Sequence, residues 1–181
     1  SGITLGNATA EKVIVIDNFY DEPYEIRRHA LQCDYSIGSF VGNRTANGIS
    51  AEVVNKLTDY NIINSCFEWR PSDSIKSVGI DYVNTLRGII FLSPHAPINS
   101  GISFHRYKEL GWDDCYKHNE QAYQLVDEYG TDLTKWDEVD RIGNVFNRLV
   151  IYETKYYHST TNHFGKDDLD SRLIQLIYFK K

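Results

Sequence analysis

A histidine, His158, closes the run NRLVIYETKYYH, and an arginine, Arg172, opens the run RLIQLIYF fourteen residues later. A neutral imidazole is a common metal ligand, and a guanidinium is a planar fork that grips a carboxylate through two parallel hydrogen bonds. On neighbouring strands the two side chains would meet near one mouth of a barrel. Strand alternation puts Arg172, Ile174 and Leu176 on one face and Leu173, Gln175 and Ile177 on the other, so Arg172 points inward among apolar companions. An inward guanidinium needs an anion, because a buried unpaired charge is expensive to keep. Two sources stand: an internal salt bridge to Asp167, Asp168 or Asp170, or the carboxylate of a ligand. His158 likewise has two readings, a hydrogen-bonded residue at a strand end or a ligand to a metal.

The elements that must position this pair can be read from periodicity. KVIVIDNF is a β-branched strand, and YDEPYEIRRHALQC is a helix with Asp21 as cap, Pro23 in its first turn and Ile26, Ala30 and Cys33 at helical spacing. SIGSFVGNRTANGIS is a Gly- and Asn-rich loop, and Ser50 caps a second helix. Short β-prone runs then follow at Ile75 to Tyr82, Arg87 to Leu92 and Gly101 to Tyr107, set apart by Pro94, Pro97 and Asn99. Such spacing predicts an antiparallel sandwich or barrel. Residues 113–142 are polar and partly helical, with a thin apolar stripe at Ala122, Leu125 and Val126, and read as an insertion over an edge or mouth.

Composition narrows the function classes. The 181 residues suffice for one domain with a real core, and 41% hydrophobic with 24% charged residues is ordinary for a globular chain. The 13 Tyr, 8 Phe and 3 Trp tilt it toward β-structure. A net charge of -6 argues against an extended nucleic-acid grip, which depends on many Lys and Arg contacts. Cys33, Cys66 and Cys115 form no CxxC pair, so reduced thiols in a cytoplasmic setting are expected. No apolar run approaches the roughly 20 residues that span a bilayer.

NRLVIYETKYYHS followed by RLIQLIYF resembles the carboxy-terminal signature of Fe(II)/2-oxoglutarate-dependent oxygenases with a double-stranded β-helix core. GIIFLSPHAPINSGISFHRYK is similar to the strand, turn and strand of one branch, common among bacteriophage-encoded and bacterial oxygenases, and FVGNRTANG to that branch's Gly-x-Arg-Thr loop. The resemblance runs from Lys12 to Phe179. It implies an α+β, mainly β, jelly-roll or cupin-like fold with amino-terminal helices, and hydroxylation of a substrate coupled to decarboxylation of 2-oxoglutarate. In that family a His-x-Asp pair and a distal His form a two-His, one-carboxylate iron site. SVGIDYVNTLRG places Asp81 where the carboxylate belongs and Gly79 where the first histidine belongs. The resemblance therefore implies Asp81 and His158 as metal ligands and Arg172 as the holder of the distal carboxylate of 2-oxoglutarate. Glycine has no side chain to donate, so His105, His163, water, substrate or a second protein would complete the iron site. Gly79 also reads as an ordinary strand-end or bulge glycine.

Two other readings stand beside the enzyme. One is a catalytically inactive member of the fold, serving as a binding or structural module within a phage particle or on a host protein. The other is a metal-free, lectin-like or cupin-like sandwich. The substrate and the oligomeric state are open, and the expected location is the cytoplasm, that of the host if the chain is phage-encoded. Arg44, in the Gly-rich loop, is a candidate substrate contact over the barrel mouth. His29, His95, His118 and the KDDLD segment have ordinary solvated or packing roles, and Trp112, Tyr152, Tyr156 and Tyr157 line either a pocket or a core.

Overall fold

The computed structural model describes residues 2–4, 13–37, 43–45, 50–81, 85–114 and 119–180. The strands, in chain order, are β1 (Gly2–Thr4), β2 (Val13–Ile16), β3 (Ser36–Ile37), β4 (Asn43–Arg44), β5 (Asn61–Arg70), β6 (Thr85–Phe91), β7 (Ile102–Tyr107), β8 (Trp136–Ile142), β9 (Leu149–Glu153), β10 (His158–Thr160) and β11 (Arg172–Lys180). Among the described residues three α-helices accompany them: α1 (Pro23–Gln32), α2 (Ala51–Lys56) and α3 (Asn119–Tyr129).

Among the described residues the larger sheet has the order β1-β2-β9-β6-β11-β5-β4-β3, and the smaller one β10-β7-β8. All the pairings are antiparallel. β11 is central: it pairs with β5 on one side, Arg172 opposite Arg70, and with β6 on the other, Ile174 opposite Phe91. Gly79 extends the smaller sheet through an isolated antiparallel bridge to His158. The arrangement is the expected double-stranded β-helix: the two ends of the core, β5 and β11, lie side by side in one sheet, and the segments at Gly79 and His158 lie side by side in the other.

Alternation sorts the side chains into an interior and an outer layer. Val13, Val15, Cys66, Ile89, Phe91, Ile102, Phe104, Val150, Tyr152, Ile174 and Leu176 pack between the sheets. The opposite row, with Phe67, Ile90, Leu149, Ile151, Leu173 and Ile177, packs against Phe19, Ala30, Val53 and Leu57 of the amino-terminal segment and helices. Each fully buried aliphatic or aromatic side chain contributes roughly 1.5–3 kcal/mol. α3 covers the outside of the smaller sheet, where Ala122 joins Val78, Tyr107, Trp136 and Tyr157.

The structure departs from the sequence expectation in several elements: the described part of the Ile75 to Tyr82 run holds only the isolated bridge at Gly79 rather than a strand, and Asn61–Arg70 forms the ten-residue β5, which the sequence reading did not mark. α1 is preceded by Glu22 rather than Asp21 at its cap position, with Pro23 opening the helix; Asp21 instead pairs with Lys56 of α2. Ser50 caps α2 as expected, accepting from the Val53 amide. The last seven residues of the polar span 113–142 form β8, paired with β7. Their apolar pattern is faint because β8 is an edge strand: Trp136 and Ile142 at its ends are buried while Asp137, Glu138, Val139 and Arg141 face solvent. Most of the FVGNRTANG loop, as well as Cys115, His118 and Tyr82, lies outside the described residues.

Candidate functional site

Arg172 is the largest fully enclosed side chain, 2% exposed. It enters between the sheets in phase with Ile174 and Leu176, as alternation requires, and its guanidinium carbon lies 5.8 Å from the Phe91 ring centre. Its Nε donates to the Ser100 carbonyl at 3.2 Å. That carbonyl is held in place because Gly101, which follows it, sits directly against the Ile142 backbone, where no Cβ would fit. Among the described residues no carboxylate lies within ion-pairing distance of Arg172. Two of the three internal partners that the sequence offers are engaged elsewhere: the Asp170 carboxylate accepts from the Lys166 and Asp167 amides, and Asp167 from the Leu169 and Asp170 amides. Burial pulls the Arg172 guanidinium down to about 10.

Glu68 supplies the nearby negative charge but does not neutralise Arg172. In phase with Cys66 on β5 and 3% exposed, its carboxylate accepts from Arg44 Nε at 2.5 Å and from Arg70 Nε at 2.9 Å. Despite burial, these two guanidinium groups hold Glu68 below the usual carboxylate range. Three arginines, Arg44, Arg70 and Arg172, thus surround one carboxylate inside the barrel. Arg44 also reaches the Tyr178 hydroxyl at 3.3 Å.

His158 faces the same interior. Its ring lies 5.0 Å from that of Tyr152, centre to centre, and its backbone pairs with Phe104 on one side and Gly79 on the other. Its Nδ1 lies 2.6 Å from the Tyr156 carbonyl, so Nδ1 carries the proton and donates, and Nε2 keeps its lone pair. Burial, reinforced by the nearby Arg87 guanidinium, drops its pKa to about 3, so the ring stays neutral. A neutral imidazole with its second nitrogen fixed by a carbonyl is the form in which histidine ligates metals.

Asp81 lies two residues beyond the Gly79 bridge, its amide bonded to the Thr154 carbonyl. Its Oδ2 is 2.7 Å from Arg87 Nη2. Arg87 comes from β6, in phase with Ile89 and Phe91; it stands 5.4 Å from the Tyr178 ring centre, and its buried Nε has no hydrogen-bond partner among the described residues. A cavity of about 620 Å³ opens beside this pair, with Arg44, Cys66, Asp81, Thr85, Leu86 and Tyr178 among its lining. A Cβ on Gly79 would meet no atom within 4 Å, so there is room for a side chain next to His158.

The two histidines offered as substitute ligands, His105 and His163, have other contacts in the structure. His105 follows a register shift in β7, and its Nε2 lies 2.7 Å from the Ser159 hydroxyl; Ser159 projects from β10 opposite to His158, so His105 occupies the outer face of the smaller sheet. His163, in the loop before β11, lies toward the Arg172 end, where burial followed by Arg172 and Arg70 brings it down to about 4. Among the described residues no three His, Cys, Asp or Glu side chains form a ready metal cluster. Arg87 and Glu68 escaped the reading of the sequence, although strand phase alone places them with Ile89 and Cys66 on the inward row.

The sequence matches no family model and no curated protein. Solved structures do match it. HygX from Streptomyces hygroscopicus, solved with nickel and 2-oxoglutarate bound, superposes with a TM-score of 0.61 over 96% of this chain and 84% of that one, at 12% identity. A prolyl hydroxylase from Trichoplax adhaerens, in complex with a hypoxia inducible factor peptide fragment, gives 0.56 at 13% identity over 93% and 84%. SnoN, a non-heme alpha ketoglutarate dependent epimerase from nogalamycin biosynthesis, gives 0.56 at 10% identity over 94% and 78%. At these identities the likeness establishes the double-stranded β-helix fold that such 2-oxoglutarate-dependent enzymes use.

Proposed function

We propose that this chain is an Fe(II)/2-oxoglutarate-dependent oxygenase whose metal is held by two side chains, Asp81 and His158, and whose cosubstrate is anchored by Arg172. The observation that carries the reading is the state of Arg172, a charge enclosed in the barrel with a backbone carbonyl on Nε and no described carboxylate to pair with. A small dicarboxylate would supply the missing anion through the planar guanidinium fork. The residues fit the metal as well: His158 Nε2 keeps its lone pair, Asp81 is an oxygen donor, and the space at Gly79 admits a third donor from water or substrate. The similarity to HygX, whose structure contains nickel and 2-oxoglutarate, points to the same pair of ligands.

The chain's own part is to position and to exclude. Arg172 draws the distal carboxylate to the closed end of the barrel, and Phe91, Ile174 and Tyr152 keep water from it. The Tyr156 carbonyl fixes the His158 tautomer, and burial keeps that ring unprotonated at neutral pH. The cavity beside Asp81 receives the substrate, with Arg44 on its wall locked by Glu68 and Tyr178. Bound iron would supply, with dioxygen as the oxidant, the oxidative decarboxylation of 2-oxoglutarate to succinate and carbon dioxide coupled to hydroxylation of a substrate carbon, one oxygen atom going to succinate and the other to the new hydroxyl.

Anaerobic calorimetry of 2-oxoglutarate, with and without Mn(II), tests the proposal. The native chain should bind the dicarboxylate more tightly with metal present, and Arg172→Met should abolish the binding. Absence of both metal and 2-oxoglutarate binding in the native chain would refute it.

A further inference from the structure

Asp81, one of the two donors in that reading, is already engaged. Arg87 Nη2 stands 2.7 Å from its Oδ2, and the arginine emerges from the interior row of β6, where it is four-fifths enclosed. The guanidinium does not depend on Asp81 alone. It lies over the Tyr178 ring at 5.4 Å, a contact that would keep it inside the barrel if the carboxylate moved away. The same positive charge stands near His158 as well, and so close to both metal donors. A metal entering here meets a competitor on one ligand and a like charge near the other.

We infer that Arg87 is a latch on the metal site: its guanidinium holds the Oδ2 oxygen of Asp81 and competes with a divalent cation for that carboxylate. The inference rests on Asp81 being a metal donor. It assigns Arg87 a role distinct from that of Arg172, although both are interior arginines. Arg172 has no carboxylate partner among the described residues and serves a ligand, whereas Arg87 has one and withholds it. The latch makes metal affinity adjustable, because any substrate that draws the guanidinium toward the cavity would free Asp81 and tighten the metal.

The test is Mn(II) affinity, measured by calorimetry and by electron paramagnetic resonance of the free ion. Arg87→Met, similar in length and uncharged, should bind Mn(II) at least tenfold more tightly than the native chain. The gain should vanish in Arg87→Met combined with Asp81→Asn, which separates release of the carboxylate from a general loss of positive charge. Equal or weaker binding by Arg87→Met overturns the latch, as does a gain that survives the second substitution. A measurement on the native chain covers the case of a misfolded variant: saturating Zn(II) should shift the Nε–H resonance of Arg87, and an unmoved resonance overturns the inference. The latch and the proposed function fail separately. If the native chain binds 2-oxoglutarate with Mn(II) and Arg87→Met gains nothing, only the latch falls. If Mn(II) binds to Arg87→Met alone, the latch stands and the metal-dependent reading of the native chain falls.

Discussion

Replacing Arg172 with methionine separates an arginine kept for a ligand from one kept for the fold. A buried arginine whose partner is internal is strongly stabilising in context, and removing one member of such a pair costs about 3–5 kcal/mol. Arg172 has instead been pulled from its ordinary value down to about 10 by burial, which corresponds to roughly 3 kcal/mol of unfavourable free energy in its charged form. The sign follows from the direction of the shift: for a base with a lowered folded pKa the cost is fully present at pH 7 and is relieved only as pH rises through about 10. Methionine removes that cost and forfeits the hydrogen bond to the Ser100 carbonyl, worth about 1 kcal/mol. The ligand-free variant should therefore be as stable as the native chain or more stable by about 1–2 kcal/mol. Affinity for 2-oxoglutarate should meanwhile fall by at least about thirtyfold, since truncating one side of a buried charged pair costs about 2–5 kcal/mol. Urea unfolding at pH 7 without ligand gives the first quantity, and anaerobic calorimetry with Mn(II) the second. A ligand-free loss of 3 kcal/mol or more would show that Arg172 is satisfied within the protein, and the case for a dicarboxylate would lose its basis.

Three further outcomes follow from the same interior. Glu68→Gln leaves the partly exposed Arg44 and Arg70 without their carboxylate and should destabilise the chain by about 1.5–3 kcal/mol, read as a lower urea midpoint at unchanged slope. Gly79→His, entering open space beside His158, should raise Mn(II) affinity tenfold or more while leaving the thermal midpoint nearly unchanged; no gain would mean that the position does not face the metal. His163, held near 4 by burial and by Arg172 and Arg70, binds fewer protons folded than unfolded between about pH 6.5 and 4. Stability should fall as pH drops through that window, and His163→Gln should remove on the order of 1–2 kcal/mol of that fall, allowing for partial solvent screening.

How far the sequence could be read depended on whether a signal was local. Arg172 was legible as an inward arginine because β11 is a long, buried strand whose alternation is continuous from Arg172 to Tyr178. Arg87 and Glu68 carry the same phase on β6 and β5, but nothing in their neighbourhoods says that the two strands flank β11 and aim both side chains into one space. β8 was hidden for another reason: as an edge strand it buries little beyond Trp136 and Ile142, so its charged residues resemble those of a solvated loop.

By itself, then, the sequence determined part of the periodicity: strands β2, β6, β7, β9 and β11, the Ser50-capped helix, the inward face of β11, and the spacing of His158 and Arg172. These depend on residues within a few positions of one another. Tertiary structure alone decided the partners. It brought Gly79 beside His158, set Arg87 on Asp81, gave Glu68 to Arg44 and Arg70, and left Arg172 with a carbonyl and no described carboxylate. Charge pairing acts over a few ångströms in space, and separation along the chain carries no information about it until the sheets have closed.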